Sequence, residues 1–149
     1  MLEKISKDFV IDHRTRHVEG LPPFSHSHQF NEIYFLQSGK CHVYIENEKY
    51  TLEDGSVLFI PAFKEHTFVY YDTVDVKRTV LYISTEQLNW YFDDNFKEEI
   101  DNLFINRYIK LSRKSFSNLS SLFEKIQFEK YNIDNLSTPL TKAYFFEMI

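Results

Sequence analysis

The sequence is poor in cysteine and has no excess of basic residues, and both shortages exclude classes of structure and function. Cys41 is the only cysteine among 149 residues. An internal disulfide and a Cys-x-x-Cys zinc site are therefore excluded, and the composition is typical of a reducing compartment. Lys and Arg number 17 against 22 Asp and Glu, a net charge of −5. Domains that bind duplex nucleic acid normally carry a basic excess, so we predict that this chain does not itself bind DNA.

Long apolar runs are also missing from the sequence. No stretch approaches the roughly 18 apolar residues of a membrane span, and the N-terminus is too charged for a secretory signal. The sequence therefore predicts a soluble, cytoplasmic protein with no membrane association. Aromatic residues are plentiful, with 15 Phe and 10 Tyr, so we expect aromatic side chains to dominate the packing of about one domain.

The first half of the chain has the pattern of a β protein. Short β-rich runs, among them NEIYFLQ, CHVYIE and SVLFIP, alternate with turn residues up to about residue 84. Ser38-Gly39 and Glu53-Asp54-Gly55 are hairpin signals. Several short strands with no helices between them predict an antiparallel barrel or sandwich. Alternation predicts that eight side chains face its interior: Tyr34, Leu36, Tyr44, Leu58, Ile60, Phe68, Tyr70 and Tyr82.

Beyond about residue 84 the pattern becomes helical. Ser84 and Gln87 have the spacing of a capping box that opens a short helix through Phe92. Two apolar stripes at helical spacing follow, Phe96, Ile100, Leu103 and Phe104, then Phe116, Leu119, Leu122, Phe123 and Ile126 on a helix of about 115–131. Thr138-Pro139 predicts the start of a third helix. That helix has no stop signal before Ile149, so we expect the chain to be part of a longer protein.

Three histidines and a glutamate form the candidate site. On a strand, side chains at i and i+2 share a face, so His26 and His28 should project together, and Glu32 joins them if the pairing is continuous. His66 follows the SVLFIP strand and its Pro61 turn. Imidazole nitrogens and a carboxylate suit a divalent ion such as Fe, Mn, Ni, Co or Zn. Four protein ligands leave one or two positions open for water or another ligand.

The spacing of these residues resembles a known family. Gly20 to Gly39 reads G-x5-H-x-H-x3-E-x6-G, similar to the first motif of the cupin superfamily, and Gly55-x5-Pro61 with His66 resembles the second. Phe63 stands where many cupins have glycine and Tyr70 where many have asparagine. The resemblance implies a mostly β fold: a cupin-like antiparallel β-barrel (double-stranded β-helix or jelly roll) followed by a C-terminal helical segment.

Within the cupins, nearly the whole chain resembles the N-terminal part of AraC-type transcriptional regulators. The resemblance is carried by His26-Ser-His28-Gln-Phe-Asn-Glu32, by Tyr50 to Pro61 and by Val80 to Leu88. It implies an effector-binding barrel over 1–84, a helical dimerisation segment packed on it over 85–149, and a C-terminal helix-turn-helix DNA-binding domain that is absent from this chain. The expected effector is a small polar molecule such as a sugar, bound by His26, His28, Glu32, Tyr34, His66, Phe24, Phe68 and Tyr82.

Several alternatives to a metal-binding sensor stay open. Buried histidine–glutamate clusters also exist without metal, because such groups satisfy one another's hydrogen bonds. The histidines could respond to pH instead, since their charge changes within the cellular range. A metal-dependent cupin enzyme of the dioxygenase or isomerase class is the second candidate function, and a homodimerising module without a small-molecule role is the third. The resemblance itself favours a non-enzymatic regulator.

Overall fold

The computed structural model describes residues 9–17, 22–71, 75–91 and 97–131, and contains nine strands and three helices within them. The strands are β1 Phe9–Arg16, β2 Phe24–His26, β3 Phe30–Ser38, β4 Cys41–Ile45, β5 Glu48–Leu52, β6 Ser56–Ile60, β7 His66–Tyr70, β8 Val76–Ser84 and β9 Tyr108–Lys110. The helices are α1 Thr85–Tyr91, α2 Lys97–Asn106 and α3 Arg113–Tyr131.

The strands form two antiparallel sheets that face each other as a jelly roll. One sheet has the order β1-β8-β3-β6-β9 and the other the order β2-β7-β4-β5. The space between them is filled by apolar side chains from both sheets, including Leu36, Val43, Leu58 and Phe68. The predicted cupin-like antiparallel fold is therefore confirmed.

A second core lies on the outer face of the five-stranded sheet. Along β3 the side chains alternate, so Tyr34 and Leu36 enter the core between the sheets, whereas Ile33 and Phe35 enter the outer one. All three helices contribute to the outer core, with Leu88 from α1, Ile100 from α2, and Leu119, Phe123 and Ile126 from α3. The predicted helical stripes within the described residues are thus the faces that cover the sheet.

The predicted helix start at Ser84 is confirmed. The Ser84 hydroxyl oxygen accepts a hydrogen bond from the backbone N–H of Gln87 at 3.1 Å, as an N-cap residue does. Among the described residues, Gln87 Nε2 is buried without a hydrogen-bond partner. Phe92, Phe96 and the helix expected from Thr138 lie outside the described residues.

The sequence did not predict β9. This strand lies between α2 and α3 in the chain and forms one edge of the five-stranded sheet. Tyr108–Lys110 pairs with β6, and three residues are too few to show a period of two. Arg107 ends α2 with a left-handed φ of 64°. Its N–H donates to the carbonyl of Leu103 at 2.8 Å, and its carbonyl accepts from the N–H of Phe59 at 2.7 Å. The end of α2 is therefore tied directly to the sheet.

One predicted core position is wrong. Tyr44 is 40% exposed, because β4 directs Cys41, Val43 and Ile45 into the core between the sheets. A register that differs by one residue moves every side chain of a strand to the opposite face. Within the described ranges, no helix combines the length and the apolar character needed to cross a membrane.

Candidate metal centre

The four candidate ligands come from three strands and one connection. His26 is the last residue of β2 and lies opposite His66, the first residue of β7. Glu32 lies in β3, opposite Tyr82 of β8. His28 follows the end of β2 and belongs to the connection to β3, so the predicted strand alternation of the two histidines is wrong. Local chain direction in that connection, and not the two-residue strand period, brings His28 to the site.

The donor atoms nevertheless converge on one point. Glu32 Oε2 lies 2.7 Å from His66 Nε2, 3.2 Å from His28 Nε2 and 4.0 Å from His26 Nε2. His26 Nε2 and His66 Nε2 are 2.8 Å apart. One possible ligand atom from each residue lies within 4.8 Å of all the others. His66 and Glu32 are almost fully buried, whereas His26 and His28 are partly exposed. The site therefore opens to solvent on the side of His26 and His28.

The hydrogen bonds around His66 leave its Nε2 lone pair directed into the site. Its Nδ1 is 2.9 Å from the carbonyl oxygen of Lys64. Because a carbonyl only accepts, Nδ1 must carry the proton. A neutral His66 therefore presents a bare Nε2 to the Glu32 carboxylate and to His26 Nε2, at 2.7 and 2.8 Å respectively. Lone pairs at such distances repel unless a proton or a cation lies between them.

The donor set fits a divalent metal ion. Metal–nitrogen and metal–oxygen bonds of about 2.0–2.2 Å place neighbouring ligands of one ion about 3.0 Å apart in octahedral and about 3.4 Å apart in tetrahedral coordination. The separations of 2.7, 2.8 and 3.2 Å are nearest the octahedral spacing, and the 4.0 Å between Glu32 Oε2 and His26 Nε2 exceeds it. His28 needs one adjustment, because the N–H of Phe30 contacts its Nδ1 at 3.3 Å and so favours a proton on Nε2. With that proton moved, the group could hold a metal ion.

The electrostatics of the site keep the carboxylate ionised. Burial alone raises the pKa of Glu32, but the contacts of its carboxylate with the imidazoles of His28 and His66, together with their positive charge when protonated, outweigh burial and lower the pKa to about 2. The hydrogen bond to Glu32 raises the pKa of His28 above its usual value. Burial, together with the charge of His66, lowers the pKa of His26. A permanently charged oxygen beside imidazoles that compete for protons is the electrostatic arrangement that attracts a cation.

Aromatic side chains extend the site into the space between the sheets. Phe68 stacks near His26, with ring centroids 6.1 Å apart and planes at 10°, and lies 5.0 Å from the ring of Tyr34. The half-buried Tyr82 meets His28 edge-on at 5.7 Å. Phe24 lies in β2 opposite Phe68. The structure thus brings Phe68 and Tyr82 to the histidines and Tyr34 to Phe68, while the binding roles of all four aromatic residues stay predictions.

A buried cation within the same space was not predicted. Arg78 is only 4% exposed and shares the inward face of β8 with Val76 and Val80. Its guanidinium donates to the backbone carbonyl of Asp12 at 3.0 Å and to the Asp12 carboxylate at 3.2 Å. The alternation of VKRTVLYIS places Arg78 on the face of Tyr82, so this signal was available in the sequence.

Phe63 adopts the backbone conformation of the glycine that it replaces in the cupin pattern. Its φ is 66°, in the left-handed region where a side chain is strained. Its N–H donates to the carbonyl of His28 at 2.8 Å, and its ring is 76% exposed. The loop that leads to His66 is therefore tied to the His28 segment at the cost of local strain.

We predict that Phe63→Gly stabilises the protein. A residue with a Cβ loses about 1–2 kcal/mol of stability in the left-handed conformation. Glycine avoids this strain, but its larger loss of chain entropy on folding costs about 0.5–1 kcal/mol. The free energy of unfolding in urea should rise by about 0.5–1 kcal/mol. Phe63→Ala is the control, because it removes the ring and keeps the strain. If both variants are equally stable, the strain is not the reason.

A comparison with known families agrees with the topology and the motifs. Residues 16–82 match the family model described as the cupin domain. The matched range contains both motifs, which agrees with the resemblance of the sequence to the cupin superfamily. Over 146 residues the chain is 25% identical to the HTH-type transcriptional activator RhaR of Mannheimia succiniciproducens, which covers 97% of this chain and 51% of that protein. The resemblance to AraC-type regulators is thus supported, and the chain spans about half the length of this curated relative.

Solved structures are similar to part of this chain at low sequence identity. One is a putative mannose-6-phosphate isomerase from Ralstonia eutropha, with a TM-score of 0.48 and 16% identity, covering 53% of this chain and 77% of that one. Another is a cupin-2 domain containing protein from Shewanella frigidimarina, with a TM-score of 0.42 and 21% identity, covering 50% and 69%. Both TM-scores are below 0.5, so the fold assignment depends on the sheet topology and the family match.

Proposed function

We propose that this chain is the ligand-sensing and dimerising part of an AraC-type transcription regulator. A small polar effector, such as a sugar, enters between the two sheets and contacts the histidine cluster. The convergence of His26, His28, Glu32 and His66 is the observation that carries this proposal. A half-open polar site with an aromatic wall is the arrangement in which a protein binds a small polar molecule.

The four residues of the cluster also hold a divalent ion in this proposal. Zinc, nickel, iron, manganese and cobalt all accept imidazole and carboxylate ligands. A bound ion would supply a Lewis-acidic position for an oxygen of the effector. Tyr34, Phe68, Tyr82 and Phe24 would orient the effector by stacking and hydrogen bonding. His66 is held for this task by the Lys64 carbonyl, as metal-binding histidines commonly are.

Regulation in this proposal depends on the helices. The helical segment forms a homodimer through a two-fold, self-complementary contact, and DNA is bound by a helix-turn-helix domain outside this chain. Effector binding shifts the equilibrium between two arrangements of the barrel and its helices, by as much as its affinities for the two arrangements differ. The similarity to a transcriptional activator over 97% of this chain supports the assignment.

A thermal-shift screen tests this function. A ligand that binds only the folded protein stabilises it by about 2.7 kcal/mol at a concentration one hundred times its Kd. We expect at least one sugar or related polyol, with Zn²⁺ or Ni²⁺ present, to raise the melting temperature of the wild-type chain. The Tyr82→Phe and Phe68→Ala variants should lose most of the shift, whereas Tyr44→Ala, an outward-facing control, should keep it. An equal shift in all variants would contradict binding between the sheets.

A metal-dependent enzyme is the second candidate function. One observation favours it. Glu32 and His66 are buried, but His26 and His28 are partly exposed, so solvent can reach the site from their side. A metal held there would have free positions for a substrate. Steady turnover of a small substrate that disappears in His28→Ala would establish this function, and binding without turnover would favour the sensor.

A further inference from the structure

Asn31 links three parts of the molecule that meet behind the candidate metal centre. Its side chain is 7% exposed. The amide oxygen accepts from the N–H of Ala62 at 2.9 Å. The amide nitrogen donates to the carbonyl of Ile83 at 3.2 Å and to the hydroxyl oxygen of Thr85 at 3.1 Å. Three partners for one buried amide fix its position closely, because a buried polar group that loses a partner is costly.

The first partner of Asn31 belongs to the loop that carries the site. Asn31 immediately precedes Glu32, and the strand pleat directs the two side chains to opposite faces of the sheet. Ala62 lies in the loop between β6 and β7, where Phe63 donates to the His28 carbonyl and Lys64 accepts from His66. A movement of Glu32, His28 or His66 therefore reaches the Asn31 side chain through the backbone or through one hydrogen bond.

The other partners of Asn31 lie where β8 ends and α1 begins. Ile83 is the last residue of β8 on its outward face, and Thr85 is the first residue of the helix. Apart from this contact, α1 is held at its start by the Ser84 cap and along its length by Leu88 in the outer core. A cavity of about 190 Å³ is lined by Asn31, Pro61, Thr85 and Leu88, together with residues of α2. On the side of this cavity α1 borders open space, whereas Leu88 packs in the outer core.

We propose that Asn31 is a positioning residue that couples occupation of the metal centre to the position of α1. This inference rests on the metal site of the proposed function and extends it to the route by which the helices respond. Occupation draws the four donors to their final separations, and the loop at Ala62 moves with His66. Asn31 passes that displacement to Thr85, because its oxygen follows the loop and its nitrogen holds the helix. Such coupling requires an element with two discrete arrangements, and in this proposal α1 is that element.

Trp90 provides the measurement. It is the only tryptophan of the chain, lies on α1 and is 43% exposed, so its emission reports the surroundings of that helix alone. We expect titration of the metal-free chain with Zn²⁺ to change Trp90 emission and to saturate near one equivalent. Zn²⁺ binding is measured separately by calorimetry, so occupation of the site and response of the helix are two independent readouts.

Thr85→Val is the decisive variant. It is nearly isosteric and removes only the hydroxyl that joins α1 to Asn31, leaving the bonds to Ala62 and Ile83 in place. We expect the Trp90 response to weaken about fivefold, the factor in an equilibrium that corresponds to one neutral hydrogen bond, and the Zn²⁺ affinity to change by no more than that factor, because coupling between two sites is reciprocal. Asn31→Ala should weaken the response further. Asn89→Ala, which alters another polar side chain at the same cavity, should keep the full response.

The outcomes separate the coupling from the metal site. If wild-type protein binds no Zn²⁺, both the site and the coupling are overturned. If Zn²⁺ binds and Trp90 emission does not change, the coupling alone is overturned. The same holds if Thr85→Val responds as strongly as the wild type. A loss of Zn²⁺ affinity in Thr85→Val much larger than about fivefold would show that the residue acts on the site itself and would also overturn the coupling.

Discussion

The His26→Ala/His28→Ala variant is expected to lose its metal. Protein purified without an affinity tag should contain about one divalent ion per chain, because four ligand atoms lie within 4.8 Å of one another. Replacement of a residue that only hydrogen-bonds to a metal ligand already weakens metal binding by about 10–100-fold, so removal of two direct ligands should weaken it by more than about 100-fold. Elemental analysis and calorimetric titration with Zn²⁺ measure both quantities.

The stability of the protein should depend on the same ion. An ion present at one hundred times its Kd stabilises the folded state by about 2.7 kcal/mol, which corresponds to about 5–10 °C for a chain of this size. A chelator should therefore lower the melting temperature of the wild type and leave that of the double variant unchanged. His17→Ala is the control, since His17 is exposed and contacts Asp75 instead of the site. Wild-type protein that is metal-free and insensitive to chelator would refute the metal site.

Gly39→Ala is expected to be the most destabilising single change at a glycine of the two motifs within the described residues. Gly39 has a φ of 113°, and a Cβ there would lie 2.6 Å from the carbonyl oxygen of Asp75 and 3.1 Å from Cα of Val76. Strain of about 1–2 kcal/mol from the backbone conformation adds to about 1–3 kcal/mol from overpacking against backbone that cannot give way. Urea unfolding should show a loss of about 2–5 kcal/mol.

Gly55→Ala is the matched control for this effect. Gly55 also has a positive φ, of 84°, but the nearest atom to its Cβ would be a side-chain carbon of Phe116 at 3.5 Å, an ordinary contact. This variant should lose only the conformational part, about 1–2 kcal/mol. Equal losses in the two variants would mean that the steric clash at Asp75 contributes nothing. The comparison thus separates the two reasons for which a cupin motif contains glycine.

Much of the fold could be predicted because it depends on local patterns. The Ser84 cap, the helix around Leu119 to Ile126 and most inward positions of the strands follow from residue type and period. Predictions failed where a turn resets the period. Tyr44 was predicted to face inward because the alternation was continued through the turn instead of being restarted at the first residue of β4. The strand β9 is too short to show any alternation.

The candidate site was predicted for a reason that was only partly correct. Glu32 and His66 come together through the register of β3 and β7 with their neighbours. His28, in contrast, reaches the site from a connection, which strand alternation does not describe. Alternation could have placed Arg78 on the inward face of β8, but alternation alone does not show which partners a polar residue such as Arg78 or Asn31 has. Its importance depends on whether its partners, distant in sequence, are buried with it.

The sequence by itself determined the residue types at the site, most of the short strands and the amphipathic faces of the helices, because these depend on composition and on periods of two and 3.6 residues. Only the tertiary structure decided that four donor atoms meet within 4.8 Å. It also decided that Phe63 takes the left-handed place of a glycine and that Asn31 joins the site loop to α1. These features depend on distances between strands far apart in the chain, and the pairing of strands sets those distances.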